Sequence, residues 1–189
     1  MTELEHYIAS YFPVEHNQLQ MIASCFRPES LSKGDYFLKA GHYSDKLSFI
    51  RSGLLRIYAP YCDKDITQWI STQGYFVTDL ASMVFDTPAR WNIQAITDAE
   101  LFTIDKKAYR QLGKEIPDWH HLEKLFIAKC FTILEDRIFS HLSMTAEERY
   151  QELLRHNRDL ILHVPLNYLA SMLGMSPETL SRIRAKRIS

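Results

Sequence analysis

Between Glu29 and about Ile104 the apolar residues come in short runs, each closed by turn residues. The runs are Tyr36–Lys39, Leu47–Arg51, Leu54–Tyr58, Thr67–Ile70 and Trp91–Ile96. Four of the six glycines, Gly34, Gly41, Gly53 and Gly74, punctuate them. A helix does not survive such interruptions, whereas evenly spaced short strands with glycine at the turns build a β-sandwich or jelly roll. The rest of the chain reads as helix, so the expected fold class is α+β with an N-terminal β-roll.

Residues 1–28 form a helical lead-in, with Ile8, Tyr11 and Phe12, then Leu19, Ile22, Ala23 and Phe26 at helix-like spacing. Lys106 to Gly113 reads as a short helix, and Pro117 opens a longer one. From Asp118 to about Leu142 there is no Gly or Pro, enough for a helix on the order of 36 Å at 1.5 Å per residue. Its apolar residues make two rows: Leu122, Phe126, Cys130 and Ile133, then Phe131, Leu134, Ile138 and Leu142. A helix apolar on two sides needs two partners. They are the parent β domain and a symmetry-related copy of the same helix, or a single large core around it; two-fold symmetry, the commonest oligomer, favours a homodimer.

Thr145 to His156 opens on a Thr-x-x-Glu capping box at Thr145 and Glu148. Leu160–Val164 reads as a short strand-like link. In the last stretch Leu166, Leu169, Ala170 and Leu173 give an apolar stripe at helical spacing, and Gly174 follows where a helix ends in a left-handed residue. Ser176 offers an N-cap oxygen, Pro177 suits the first helical position, and Glu178 lies at the positive end of the dipole. Leu180 and Ile183 point back to the first helix, leaving Glu178, Ser181, Arg182 and Ala185 on a different face. That is a helix-turn-helix with its reading face exposed. The expected division is 1–116 for a β-roll effector-type domain, 117–142 for a long dimerisation helix, and 143–189 for a winged-helix-like DNA-binding domain.

Charge locates the partner. The whole chain carries −1, so it is no nonspecific polycation and any nucleic-acid affinity is local. Between Glu178 and Ser189 one carboxylate faces Arg182, Arg184, Lys186 and Arg187, a net of +3. The cysteines Cys25, Cys62 and Cys130 are scattered, with neither metal-ligand nor disulfide spacing; they read as buried thiols in a reducing cytoplasm. The sequence has no apolar run of membrane-spanning length and the N-terminus lacks a signal peptide's design, so a cytoplasmic protein with no membrane partner is expected.

A glycine-punctuated β domain, a long helix and a closing helix-turn-helix together resemble the cyclic-AMP receptor protein and fumarate–nitrate regulator family of bacterial transcription factors. The most specific stretches are residues 169–182 (LASMLGMSPETLSR) and Ile50-Arg51-Ser52-Gly53. The resemblance implies recognition helices in successive major grooves of a palindrome, with half-sites roughly 34 Å apart. It also implies that Glu178 and Arg182 read a G·C-containing core and that Ser181 occupies a specificity position. The chemistry agrees: Arg donates twice to guanine, and a carboxylate accepts from cytosine N4. Being i and i+4, the two can also pair with each other. Thr179 joins this set, and Arg184, Lys186 and Arg187 are expected at phosphates or in solvent. Two departures stand out. Pro177 replaces an Arg of the best-known member, and the chain stops without the β-wing that follows the recognition helix in many members.

The family's cyclic-nucleotide cassette matches poorly. Thr78 stands where a Gly would admit close backbone approach, Asp79 is one methylene shorter than the expected Glu, Leu80 follows, and Ala89 occupies the phosphate-binding Arg position. Arg90 is one residue out of phase, which on a strand turns it to the other face. Cyclic AMP is therefore not the expected effector. An iron–sulfur sensor needs about four cysteine ligands, and three dispersed ones do not supply it. Haem ligation by one of the eight histidines stays open; His120, His121 and His141, in or near the long helix, read as solvated side chains, and Tyr75, Phe76, Phe85 and Trp91 suit either a ligand cavity or a β-roll core. The cofactor is unknown.

The function expected is a homodimeric, sequence-specific DNA-binding regulator. Its partners are double-stranded DNA, a second copy, an unidentified small-molecule effector and, for an activator, RNA polymerase. The alternative is a small-ligand sensor acting through protein contacts, its helix-turn-helix only a packing module. An enzyme is not expected: the sequence has no catalytic triad spacing, phosphate loop or metal-ligand cluster.

Overall fold

The computed structural model describes residues 1–186. Two short helices open it, α1 (Glu3–Tyr11) and α2 (His16–Ser24). Eight strands follow: β1 (Arg27–Leu31), β2 (Tyr36–Leu38), β3 (Lys46–Ser52), β4 (Leu55–Tyr61), β5 (Lys64–Ser71), β6 (Phe76–Val77), β7 (Asn92–Ala95) and β8 (Ala99–Asp105), with helix α3 (Leu80–Phe85) between β6 and β7. Five helices close the chain: α4 (Lys106–Glu115), α5 (Trp119–Ser143), α6 (Ala146–His156), α7 (Arg158–His163) and α8 (Leu166–Met172), then a sixth, α9 (Pro177–Ala185).

The strands form two four-stranded sheets, ordered β1-β8-β3-β6 and β2-β7-β4-β5. This is an antiparallel jelly-roll-like β-roll followed by a helical C-terminal region. Alternation explains the layering. On β3, Leu47 and Phe49 face one core while Ile50 faces the other. The register Leu47↔Ile104 and Ile50↔Leu101 carries the same division onto β8. One core lies inside the roll, around Phe37, Ile50, Leu55, Ile93 and Leu101. The other joins the outer sheet face to α1, α2, α4 and the start of α5, where Phe12 stacks on Phe126 at 5.0 Å and on Trp119 at 5.7 Å.

The chain divides into two compact units. The first is Met1–Ile57 with Ile70–Cys130; the second is Tyr58–Trp69, the outer part of the β4–β5 hairpin, with the chain from Phe131 onward.

Three expectations need correction. Leu160–Val164 is not a strand-like link: α7 covers most of it, and the described residues 106–186 contain no strand. The burial of Leu160, Ile161 and Val164, with Leu162 exposed, follows helical rather than alternating spacing. Cys62 is not a buried thiol but lies exposed at the tip of the β4–β5 hairpin, where Cys62 and Asp63 both have positive φ; Cys25 and Cys130 are half-buried. Phe85 lines neither a cavity nor a core, being 73% exposed at the end of α3.

Gly53, between β3 and β4, has φ +88°. A Cβ there would overlap the Asp98 carbonyl oxygen and stand 2.7 Å from Ala99 Cα. Both the left-handed backbone and the close approach demand glycine. Gly53→Ala is expected to cost about 2–4 kcal/mol, combining backbone strain and overpacking, read as a lowered midpoint in denaturant unfolding.

Candidate functional site

The helix-turn-helix is built by local chemistry. Helix α8 buries Leu169, Ala170 and Met172, and α9 buries Leu180 and Ile183 against it. The turn closes as a Schellman motif: Met175 N–H donates to Ala170 O at 3.0 Å and Gly174 N–H to Ser171 O at 3.1 Å, with Gly174 at φ +66°. Ser176 caps α9, its Oγ accepting from Thr179 N–H at 3.2 Å, and Pro177 takes the first helical position. Arg149 of α6 pins the same turn, donating through Nε to Leu173 O at 2.8 Å and through Nη2 to Gly174 O at 3.4 Å. Its role has no sequence signature, because the arginine is 24 residues from Leu173.

The face left over is polar and open. Glu178, Ser181, Arg182 and Lys186 are exposed, while Thr179 and Arg184 are half-buried. Thr179 is drawn into the cap, accepting from Ser176 Oγ at 3.2 Å. Arg182 Nη2 donates to Thr179 Oγ1 at 3.3 Å, so its partner on the helix is Thr179. Glu178 feels Arg182 through space. Its carboxyl is held below the ordinary value by its own main-chain amide and then by the Ser176 hydroxyl, with the fields of Lys64 and Arg182 adding to them. Arg187 lies outside the described residues.

Lys64 belongs to the β4–β5 hairpin, and its field at Glu178 makes that hairpin a neighbour of α9. The adjoining strand is tied to the helix-turn-helix where Thr67 N–H donates to Ser171 Oγ at 2.9 Å.

The residues of the cassette lie in the first unit. Thr78 Oγ1 donates to Lys46 O at 2.9 Å and lies 3.0 Å from Ser44 Oγ. Asp79 is buried and caps α3. Its Oδ1 accepts from Ser82 N–H at 3.0 Å and its Oδ2 from Arg90 N–H at 2.9 Å. Leu80 is half-buried against the outer core, and Ala89 is buried inside the roll. Arg90 is exposed in a bend before β7 rather than on a strand, with its guanidinium 5.5 Å from the Trp91 ring. Its main chain meets Asp79, but its side chain does not. Tyr75, Phe76 and Trp91 are half-buried.

Among the described residues no group of three or more His, Cys, Asp or Glu side chains is placed to hold a metal ion, and no helix is long and apolar enough to cross a membrane.

Comparison with known proteins agrees with this architecture. Residues 28–115 match the cyclic nucleotide-binding domain family. No curated protein matches the sequence significantly. A CooA variant from Carboxydothermus hydrogenoformans superposes with a TM-score of 0.64 at 21% identity, over 88% of this chain and 78% of that one. The catabolite activator protein of Thermus thermophilus gives 0.58 at 19%, over 98% and 86%. The c-di-GMP-responsive global regulator CLP of Xanthomonas campestris gives 0.66 at 17%, over 91% of both chains. At these identities the likeness establishes the fold alone: a β-roll followed by a helical region.

Proposed function

We propose that this chain is a transcription regulator of the cyclic-AMP receptor protein and fumarate–nitrate regulator type, binding a palindromic DNA site as a homodimer. The observation that carries the reading is the α8–α9 pair. Leu180 and Ile183 anchor α9 while Glu178, Ser181 and Arg182 stay exposed on its outer face. These groups suit the major groove: a guanidinium for guanine, a carboxylate for cytosine N4 and a hydroxyl for either. Thr179 orients Arg182, and Arg184 and Lys186 serve the phosphates. The division at 1–116, 117–142 and 143–189 then corresponds to sensing, pairing and reading, in a protein that works in the cytoplasm and meets RNA polymerase where it activates.

The exposed row of α5 supports the second copy. Phe131, Ile138 and Leu142 are 60%, 60% and 81% exposed, with Leu134 between them. Four large apolar side chains on one helical face are poor solvent-facing residues and a good coiled-coil seam.

The cassette does not suit a cyclic phosphate. The expected arginine position is buried Ala89, Asp79 is engaged by two main-chain amides, and the Arg90 side chain lies over Trp91. Cyclic AMP at millimolar concentration is expected to leave the thermal midpoint unchanged, whereas a ligand at about a hundred times its Kd adds about 2.7 kcal/mol of stability. A clear upward shift would return cyclic AMP as the effector.

The test of function is selection of bound DNA from a random pool. A two-fold symmetric motif, bound with a steep inverse dependence on salt, is expected. Recovery of no motif by the dimeric protein would overturn the reading.

A further inference from the structure

The second unit contains a cation that lies off the exposed face of α9. Arg137, on α5, turns inward. Its Nη1 donates to Gln68 O on β5, its Nη2 donates to Met172 O at 3.2 Å, and its guanidinium lies 5.1 Å from the Trp69 ring. Desolvation lowers its pKa to about 10, which leaves it charged at neutral pH. Burying a cation is costly unless its donors are met. Here they are met by main-chain carbonyls from two elements distant in sequence. Met172 is the last residue of α8, whose carbonyl end carries the negative pole of the helix.

We propose that Arg137 is the positioning residue of the reading head: by clamping α8 and the β4–β5 hairpin together it sets the direction in which α9 is presented. The consequence for DNA rests on the function proposed above. A planar guanidinium reaches two acceptors at a fixed angle, which a single ammonium on a flexible stem does not reproduce. The same strand and helix are joined again by the Thr67–Ser171 bond. Beyond the clamp, Lys64 near the hairpin tip lies close enough to Glu178 to depress its carboxyl. The hairpin is therefore a working part of the reading unit.

The experiment compares wild type, Arg137→Met and Arg137→Lys in the full chain, on DNA selected by the wild type and by amide hydrogen exchange. Arg137→Met is expected to weaken DNA binding at least tenfold with an unchanged slope of log K against log salt. It should also raise exchange at residues 64–69 and 166–172 while β1, β3 and β8 keep their protection. Arg137→Lys should recover only part of the affinity.

Unchanged affinity and exchange in Arg137→Met would overturn the clamp. So would full rescue by lysine, or a slope reduced by about 0.9, the mark of a lost phosphate contact. If Arg137→Met unfolds the chain, Arg137→Lys decides: it keeps the charge but not the planar fork, and should raise exchange at residues 64–69 and 166–172 and weaken binding, and no change in either overturns the proposal. Failure of the wild type to select any DNA would refute the DNA-binding reading alone, because the exchange measurements still judge the clamp.

Discussion

Ile138→Asp is expected to turn the proposed homodimer into monomers and to remove the binding to a palindromic site proposed for it. Ile138 lies midway along the row Phe131, Leu134, Ile138 and Leu142, all exposed on α5. At 100° per residue these four positions span a narrow face, and Ile127 extends it by one turn. Pairing with a second copy would cover that face. Each large apolar side chain so covered contributes about 1.5–3 kcal/mol, and two-fold symmetry counts every substitution twice. A carboxylate in the seam must also lose its water or keep the helices apart. A loss of about 3–6 kcal/mol weakens the dimer by a factor of roughly a hundred to twenty thousand. Sedimentation velocity at micromolar protein reads this directly. Asp136 lies on the opposite side of the same helix, so Asp136→Asn should remain dimeric. A dimeric Ile138→Asp would place the two-fold contact elsewhere and remove the link between α5 and the palindrome.

The same helix shows what a linear sequence reveals and what it hides. Its two apolar rows are legible from spacing alone, and the row Leu122, Phe126 is the buried one. The strands with apolar alternation are legible for the same reason. Strand β1, Arg-Pro-Glu-Ser-Leu, has no such alternation: it is mostly exposed, and its pairing to β8 is a main-chain register that side-chain pattern does not encode. Helix α3 is also hidden, being six residues long. Its start depends on Asp79 acting as a cap, although the sequence offers Asp79 equally to a ligand. At Leu160–Val164 a five-residue apolar run is too short for its period to separate strand from helix.

The α8–α9 pair and its turn are legible because glycine, serine and proline act within a few residues of themselves. The arginines that hold it are not. Arg149 reaches Leu173 and Gly174, and Arg137 reaches Met172 and Gln68, across separations of 24 residues or more. An arginine that is to meet a distant carbonyl looks, in sequence, like one destined for solvent.

Glu178→Ala and Arg182→Ala test the proposed base readers themselves. Each is expected to cost about 1–3 kcal/mol on the selected site, roughly five- to a hundredfold in Kd, and to relax preference at one base pair per half-site. Arg184→Ala or Lys186→Ala, acting at phosphates, should instead weaken all sequences alike and flatten the salt slope. Arg182 is held by Thr179 Oγ1 in the free protein, so Thr179→Val should reproduce part of the Arg182→Ala loss without removing a charge. The pH dependence carries a definite sign. The Glu178 carboxyl is held below 4.5, first by its own main-chain amide and then by Ser176. Its charge therefore persists to lower pH than an ordinary glutamate's and is lost only as pH falls through the lowered pKa. Discrimination at the Glu178 base pair should stay flat from neutral pH down to about pH 5. Fluorescence anisotropy on the selected site and its single-base variants measures all of this. If Arg182→Ala binds the selected site and its variants as the wild type does, Arg182 is not a base reader and the exposed face of α9 is only a solvated one.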